Sequence, residues 1–167
     1  MAIVTSKSTI PDFEQEYHTI LVDTIGQASK NTFTVHLQQE LENVVQARII
    51  AAQVHATSSS NVCSISVQEL DTQFTQRAAS EPDGQASRST LNRAFGTILC
   101  DGSGNFNFKD NYPVVQQYIT PIRKLGRLTV TLRDQTGNTI TGSDENYFIF
   151  KFTCKNKNLP MGALKEL

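Results

Sequence analysis

Apolar and polar residues alternate along several short stretches of the chain, and this two-residue period predicts β-strands. The clearest stretches are residues 33–37, 63–67, 128–132 and 148–154. The last of them places Phe148, Phe150 and Phe152 on one face, as expected for a strand packed on a core. Shorter strands are predicted at 18–22, 95–100 and 106–108.

Residues 44–54 allow two interpretations, because apolar side chains occur at both the odd-numbered and the even-numbered positions. A helix over 41–55 is possible. A long strand, partly buried on both faces, is favoured because β-branched residues are dense there and a polar turn follows at 58–61. The polar residues 38–43 are predicted to separate this strand from the preceding one.

Turn-forming residues divide the remaining segments. The runs 101–105 and 134–138 predict hairpin turns, and the polar residues 71–91 predict a long excursion at one end of the fold. Eight or nine short strands without a long amphipathic helix predict an all-β chain, an antiparallel sandwich of jelly-roll type over 17–154. Residues 1–16 and 155–167 are predicted to be extended arms.

Composition fits one domain that acts without nucleic acid. The 167 residues include 15 basic and 16 acidic side chains, for a net charge of −1, so no field that gathers phosphates is expected. No apolar run reaches the roughly 18 residues of a membrane span, so no transmembrane segment is predicted.

The three cysteines are odd in number and widely spaced, and none forms a CxxC pair. Cys63 and Cys154 lie within apolar strand patterns, whereas Cys100 closes a predicted strand. Buried free thiols are therefore expected, and synthesis in a reducing compartment.

Side chains that could perform chemistry are scattered. His18, His36 and His55 are each predicted on a different strand or strand end, which disfavours a metal site or a catalytic triad. The calcium-loop-like start at Asp101 fails at its sixth and twelfth positions, Phe106 and Tyr112. The chain is thus predicted not to be an enzyme, with no catalytic, cofactor-binding or metal-binding residues. A glycan- or receptor-binding attachment module is the alternative function.

Several segments follow one another in a distinctive order. In the first half, the strands at 31–37 and 43–52 precede an apolar-x-Glu-Leu step at 67–70. In the second half, a block from Pro121-Ile122 to Gly137-Asn138 precedes Asp144 and the aromatic strand at 147–152. These segments cover about half of the chain, and their order resembles that of the small minor capsid proteins of large icosahedral nucleocytoplasmic DNA viruses.

This resemblance implies a single jelly roll that serves as a minor capsid or vertex (penton) protein. The implied partners are the major capsid protein and other minor capsid proteins, with a homopentamer as the form at a vertex. The implied location is the capsid of a virion assembled in the host cytoplasm. Arms that order on binding suit such a role, because they cover large areas of a partner.

Overall fold

The computed structural model describes residues 15–56, 60–71, 94–99, 105–110, 114–142 and 144–156. These residues form an all-β structure, which confirms the predicted class. A three-residue 3-10 turn, Gln68–Leu70, is the one helical element among them. The strands are β1 Gln15–Asp23, β2 Thr32–His55, β3 Val62–Val67, β4 Gly96–Leu99, β5 Asn105–Phe108, β6 Val114–Arg133 and β7 Tyr147–Lys155.

The strands make one antiparallel sheet in the order β1-β7-β2-β6-β3-β4, and β5 pairs with the end of β2. The strand interpretation of residues 44–54 is confirmed, and the helix alternative is wrong. The predicted break at 38–43 is also wrong, because β2 continues through it for 24 residues. The segments around Pro121 and Leu128 likewise belong to one strand, β6, of 20 residues.

The sheet curls so that the two halves of β2 face each other. Phe148 lies opposite Ala52 in the register of β7 with β2. Its ring centroid is nevertheless 6.3 Å from that of Phe33, near the other end of β2. A straight strand would separate Phe33 from Ala52 by roughly 60 Å, at about 3.3 Å per residue. The strand must therefore bend back on itself.

Two opposed bulges produce this bend. Residues 37–40 of β2 lie opposite Gly126 alone, and residues 118–121 of β6 lie opposite Val45 alone. Between the bulges, Asn43 adopts a left-handed φ of 52°, which asparagine tolerates better than most residues. Extra residues on one strand bend it and increase its twist, so the two long strands can turn the same corner.

The core lies inside the curl. Phe148, Phe150 and Phe152 are fully buried on the inner face of β7, which confirms the predicted aromatic face. Cys63 and Cys154 are buried free thiols, as predicted. Burial raises the pKa of the Cys63 thiol, and burial followed by the Glu16 carboxylate raises that of Cys154.

The turn after β6 confirms the predicted turn at 134–138. The carboxylate Oδ1 of Asp134 accepts hydrogen bonds from the backbone N–H of Thr136 at 2.8 Å and of Asn138 at 3.0 Å. Gly137 has a φ of 87°, a conformation that glycine adopts without strain. Burial acts to raise the pKa of Asp134, but hydrogen bonds from the Thr136 hydroxyl and from the N–H groups of Thr136, Asn138 and Gly137 outweigh it and lower the pKa.

Several predicted features lie outside the described residues. They include Cys100, the turn residues 101–104, and nearly all of the arms and of the excursion at 71–91. At the predicted domain limits, β1 begins at Gln15 and β7 ends at Lys155, so both strands extend slightly beyond 17–154. Within the described ranges, no helix has the length and hydropathy to cross a membrane.

Candidate functional site

The outer face of the β1–β7 pair exposes large apolar side chains. Along β1, His18, Ile20 and Val22 point toward the core, which turns Tyr17 and Leu21 outward. Tyr17 is 56% exposed and Leu21 62%. On β7, Tyr147 is 37% exposed, and the half-buried Ile149 pairs with Leu21. We refer to Tyr17, Leu21, Tyr147 and Ile149 as the outer face.

A cation borders this outer face. The Lys151 ammonium lies 5.1 Å from the centroid of the Tyr17 ring, a cation–π distance. The Tyr17 hydroxyl donates a hydrogen bond of 3.2 Å to Gln15 Oε1. Aromatic side chains surrounded by polar groups are typical of protein–protein interfaces. The outer face is therefore suited to contact another protein.

A groove of about 570 Å³ separates β1 from the first part of β2. Its apolar lining includes Ile20 and Val22 from β1 and Val35 and Leu37 from β2. Among the described residues, β1 pairs only with β7, and residues 32–41 of β2 pair only with β6. The groove thus lies between two strand edges that have no neighbour in the described part of the sheet.

One end of the groove is acidic. A smaller cavity of about 320 Å³ continues it and shares His18, Gln39 and Leu41 with it. The charged lining of this cavity consists of Glu16, Glu40, Glu42 and Lys155. Glu40 lies 3.5 Å from the exposed ammonium of Lys124. Carboxylates therefore outnumber cations at this acidic mouth.

A network of polar side chains closes the opposite end of the fold. Buried Asn146 accepts a hydrogen bond from the His55 N–H at 2.8 Å and donates one to the Lys30 carbonyl at 2.7 Å. The Glu145 carboxylate accepts from Lys30 Nζ at 2.7 Å and from Thr24 Oγ1 at 2.6 Å. These two hydrogen bonds, Lys30 first, lower the pKa of Glu145. These polar groups form hydrogen bonds with one another and hold the loop after β1 against the loop before β7.

The histidines do not form a site. His18 lies at the groove, 3.7 Å from Glu16, whereas His36 is exposed on β2. His55 lies 3.1 Å from Asn105 at the far end of β2. His36 and His55 thus share one strand, which corrects their predicted placement on separate strands. No group of three His, Cys, Asp or Glu suited to a metal ion occurs in the described ranges.

The sequence pattern assigned contact with partners to the arms at 1–16 and 155–167. These arms lie almost entirely outside the described residues. The outer face and the groove were not predicted. The sequence feature that could have indicated them is the apolar run at 18–22. There Leu21 stands between Ile20 and Val22, so apolar residues fall on both faces of the strand.

A scan against protein-family models and a search of curated proteins both found no match for this chain. The structure defines an all-β domain built on one curled antiparallel sheet. The outer face and the segment order are the features from which a function can be inferred.

Proposed function

We propose that this chain is a structural component of the virion of a large icosahedral nucleocytoplasmic DNA virus. Its fold would be a single jelly roll, and it would join major capsid protein assemblies as a minor capsid or vertex protein. The resembling segments support this proposal because they fall on neighbouring strands. They occupy β2, the end of β3, the second part of β6 and β7.

The outer face is the observation that carries the proposal. Exposed Leu21 pairs with Ile149, and Tyr147 follows on the same face of β7, whereas a strand facing water usually presents polar residues there. Tyr17 lies on the same face of β1, beyond the pair that Thr19 forms with Lys151. Contiguous apolar patches on a soluble protein mark sites of interaction. Burying such side chains against a partner stabilises the complex by roughly 25 cal/mol per Å² of apolar area.

The proposed partners are the major capsid protein and other minor capsid proteins. A vertex pentamer would use a head-to-tail contact closed by fivefold rotation. The arms at 1–16 and 155–167 would extend the contact across neighbouring subunits. Assembly would take place in the host cytoplasm, and the mature location would be the capsid.

Leu21→Asp in the full chain tests whether the outer face mediates assembly. The chain would be co-expressed with a major capsid protein of this virus class and the complexes weighed by native mass spectrometry. We expect at least a tenfold loss of complex, because a carboxylate must be desolvated on binding. Leu99→Asp on β4 is the matched control, since Leu99 is 63% exposed and Leu21 62%. Equal behaviour of the two variants would contradict the proposal.

The mass of the native full chain distinguishes the possible roles. A fivefold mass supports a vertex pentamer, and a mixed mass with the major capsid protein supports a minor capsid role. In the same assay, deleting residues 1–13 or 158–167 should abolish joining if the arms contribute. A monomer that is retained on a glycan array would instead favour the attachment module.

A further inference from the structure

We propose that a second copy of this chain pairs with the free edge of β1, so that one antiparallel sheet continues through a twofold dimer. The dimer goes beyond the proposed function and does not depend on it. The observations that carry it are the regularity of this edge, the direction of its backbone groups and the symmetry of its side chains.

The free edge of β1 is long and regular. β1 pairs with β7 over the nine residues Gln15–Asp23 without a register shift, and nothing in the described part of the chain pairs on its other side. The open side of β2 is interrupted by the bulge at 37–40, and β4, at the other end of the strand order, has only four residues. Bulges and short strands protect an edge, whereas a long regular edge recruits another strand.

The odd-numbered residues of β1 direct their backbone groups to this edge. Thr24 continues the register of β1 with β7, and its N–H donates a hydrogen bond of 3.2 Å to the Asn146 carbonyl. Hydrogen-bonded and non-hydrogen-bonded pairs alternate along an antiparallel ladder. The even-numbered residues therefore bond to β7, and the N–H and C=O groups of Tyr17, Thr19 and Leu21 point away from it.

Full overlap of two β1 strands gives one register. Thr19 is the central residue of the nine, so antiparallel pairing over the whole strand sets Thr19 opposite Thr19 of the second copy. Tyr17 then lies opposite Leu21, and Gln15 opposite Asp23. Residues that direct their backbone groups to the edge thus meet one another, as hydrogen-bonded pairs of an antiparallel ladder require.

The exposed side chains of β1 fit themselves in this register. A twofold contact uses the same surface on both copies, so that surface must be self-complementary. Tyr17 and Leu21 lie two residues on either side of Thr19, and they are 56% and 62% exposed. Opposite side chains lie on one face, so each Tyr17 would pack against a Leu21, a stabilising kind of cross-strand pair.

The charges of β1 are compatible with self-pairing. Its carboxylates belong to Glu16 and Asp23. In the full-overlap register Glu16 lies opposite Val22, and Asp23 lies opposite the Gln15 amide. Like charges placed directly opposite each other destabilise a sheet, and this register places none so.

The groove provides space on this side of β1. It extends along the strand from Tyr17 to Val22 and measures about 570 Å³. A paired strand lies about 4.8 Å away in the hydrogen-bonding direction. The twofold axis of such a pair is perpendicular to the sheet, so the outer faces of both copies lie on the same side. The dimer would therefore leave the outer face accessible and continue it from one copy to the next.

Cysteine cross-linking tests the pairing in the full chain. Thr19→Cys should give a covalent dimer on mild oxidation, seen on a non-reducing gel. Opposite Cα atoms of a hydrogen-bonded pair lie about 5.5 Å apart, within the reach of a disulfide. Gln15→Cys is the matched control on the same face of the same strand. Its two copies would lie eight residues apart along the dimer, roughly 26 Å at about 3.3 Å per residue, so it should not link.

Two further samples test the register. A mixture of Tyr17→Cys and Leu21→Cys should form the mixed dimer faster than either variant links to itself, and peptide mapping identifies the joined positions. The wild-type chain under the same oxidation shows any linking through the native cysteines. Equal linking of Thr19→Cys and Gln15→Cys would overturn the proposal.

Thr19→Pro tests the dimer without a cross-link. Proline removes the N–H that points to the free edge and leaves the bonds of β1 to β7, a position where strands accept proline. We expect the dissociation constant of the dimer, measured by sedimentation velocity, to rise at least tenfold. Thr19→Val keeps this donor and should dimerise like the wild type, and urea unfolding checks that both variants are folded.

The result of this assay is separate from that of the co-expression assay, because it contains no capsid protein. A wild-type chain that stays a monomer would overturn the dimer and leave the test of the outer face with the major capsid protein intact. A folded Thr19→Pro variant that dimerises as tightly as the wild type would also overturn it.

Discussion

Phe150→Ala is expected to lower the free energy of unfolding by about 3–5 kcal/mol. Phe150 is fully buried at the centre of the aromatic face. Its ring centroid lies 5.9 Å from that of Phe95, 6.3 Å from that of Phe148 and 5.9 Å from that of Phe152. Three contacts from different directions leave the site little freedom to collapse, which favours the upper part of this range.

The magnitude combines two losses. The first is the transfer of the ring out of water, together with the cavity that its removal leaves. The second is the aromatic pairing, worth about 0.5–1.5 kcal/mol per pair beyond the buried area. Domains of this size are stable by only about 5–15 kcal/mol, so the variant could lose much of its stability. Phe150→Leu, which keeps most of the volume, should show a smaller loss.

Urea unfolding monitored by circular dichroism provides the measurement. The midpoint should fall while the slope with urea stays constant, since a change in slope would signal an altered unfolded state. Tyr147→Ala on the same strand is the control, because Tyr147 is 37% exposed and points outward. A loss below about 1 kcal/mol in Phe150→Ala would refute the placement of this ring in the core.

Three further outcomes are expected. Glu69→Ala should lower the free energy of unfolding in urea by about 1–3 kcal/mol. The Glu69 carboxylate accepts a hydrogen bond of 2.7 Å from the Thr129 N–H, just beyond the last β3 pair, Val67 with Val130. An unchanged urea midpoint would contradict this. Gly142→Ala should cost about 1–3 kcal/mol, because a Cβ there would collide with the His55 carbonyl, and a neutral result would show that the loop can move. Glu145→Gln should flatten the loss of stability on acidification. Because the pKa of Glu145 is lowered in the folded chain, its contribution to stability is fully present above the unfolded pKa of about 4.3 and is lost as the pH falls through the folded pKa. A pH profile of unfolding that is the same in Glu145→Gln and the wild type would refute this.

The strands that could be predicted from the sequence are those in which apolar and polar residues alternate regularly. The strands at 33–37, 63–67, 128–132 and 148–154 were all found, because each has one buried face. Alternation cannot tell a bulge from a turn, since both interrupt the pattern with polar residues. The bulge at 37–40 therefore suggested an end to the strand, although β2 continues through it.

Pro121 is a second irregularity that lies inside a long strand, β6. Proline lacks a backbone donor and usually marks an edge or an interruption of a strand. It lies in the β6 bulge, where residues 118–121 face Val45 alone, so no regular ladder hydrogen bond is required of it. Long strands that bend at a corner thus read in the sequence as several short strands.

The candidate surfaces were hidden from the sequence because exposure depends on pairing. Leu21 and Ile20 are adjacent apolar residues, and nothing local indicates which of them faces water. The pairing of β1 with β7 decides it, by turning Ile20 toward the phenylalanines and Leu21 outward. That pairing joins residues more than 120 positions apart, beyond the reach of any local pattern.

The polar network around Asn146 and the outer face differ in the interactions that they leave available to a partner. Asn146, Thr24, Lys30 and Glu145 satisfy one another through hydrogen bonds, so binding a substrate there would first require breaking them. The outer face has the opposite property, because the apolar area of Tyr17 and its neighbours is still in contact with water. The free energy that remains available to a partner is therefore hydrophobic and lies on β1 and β7. This exposed apolar area is the observation behind the proposal that the chain is joined to other proteins.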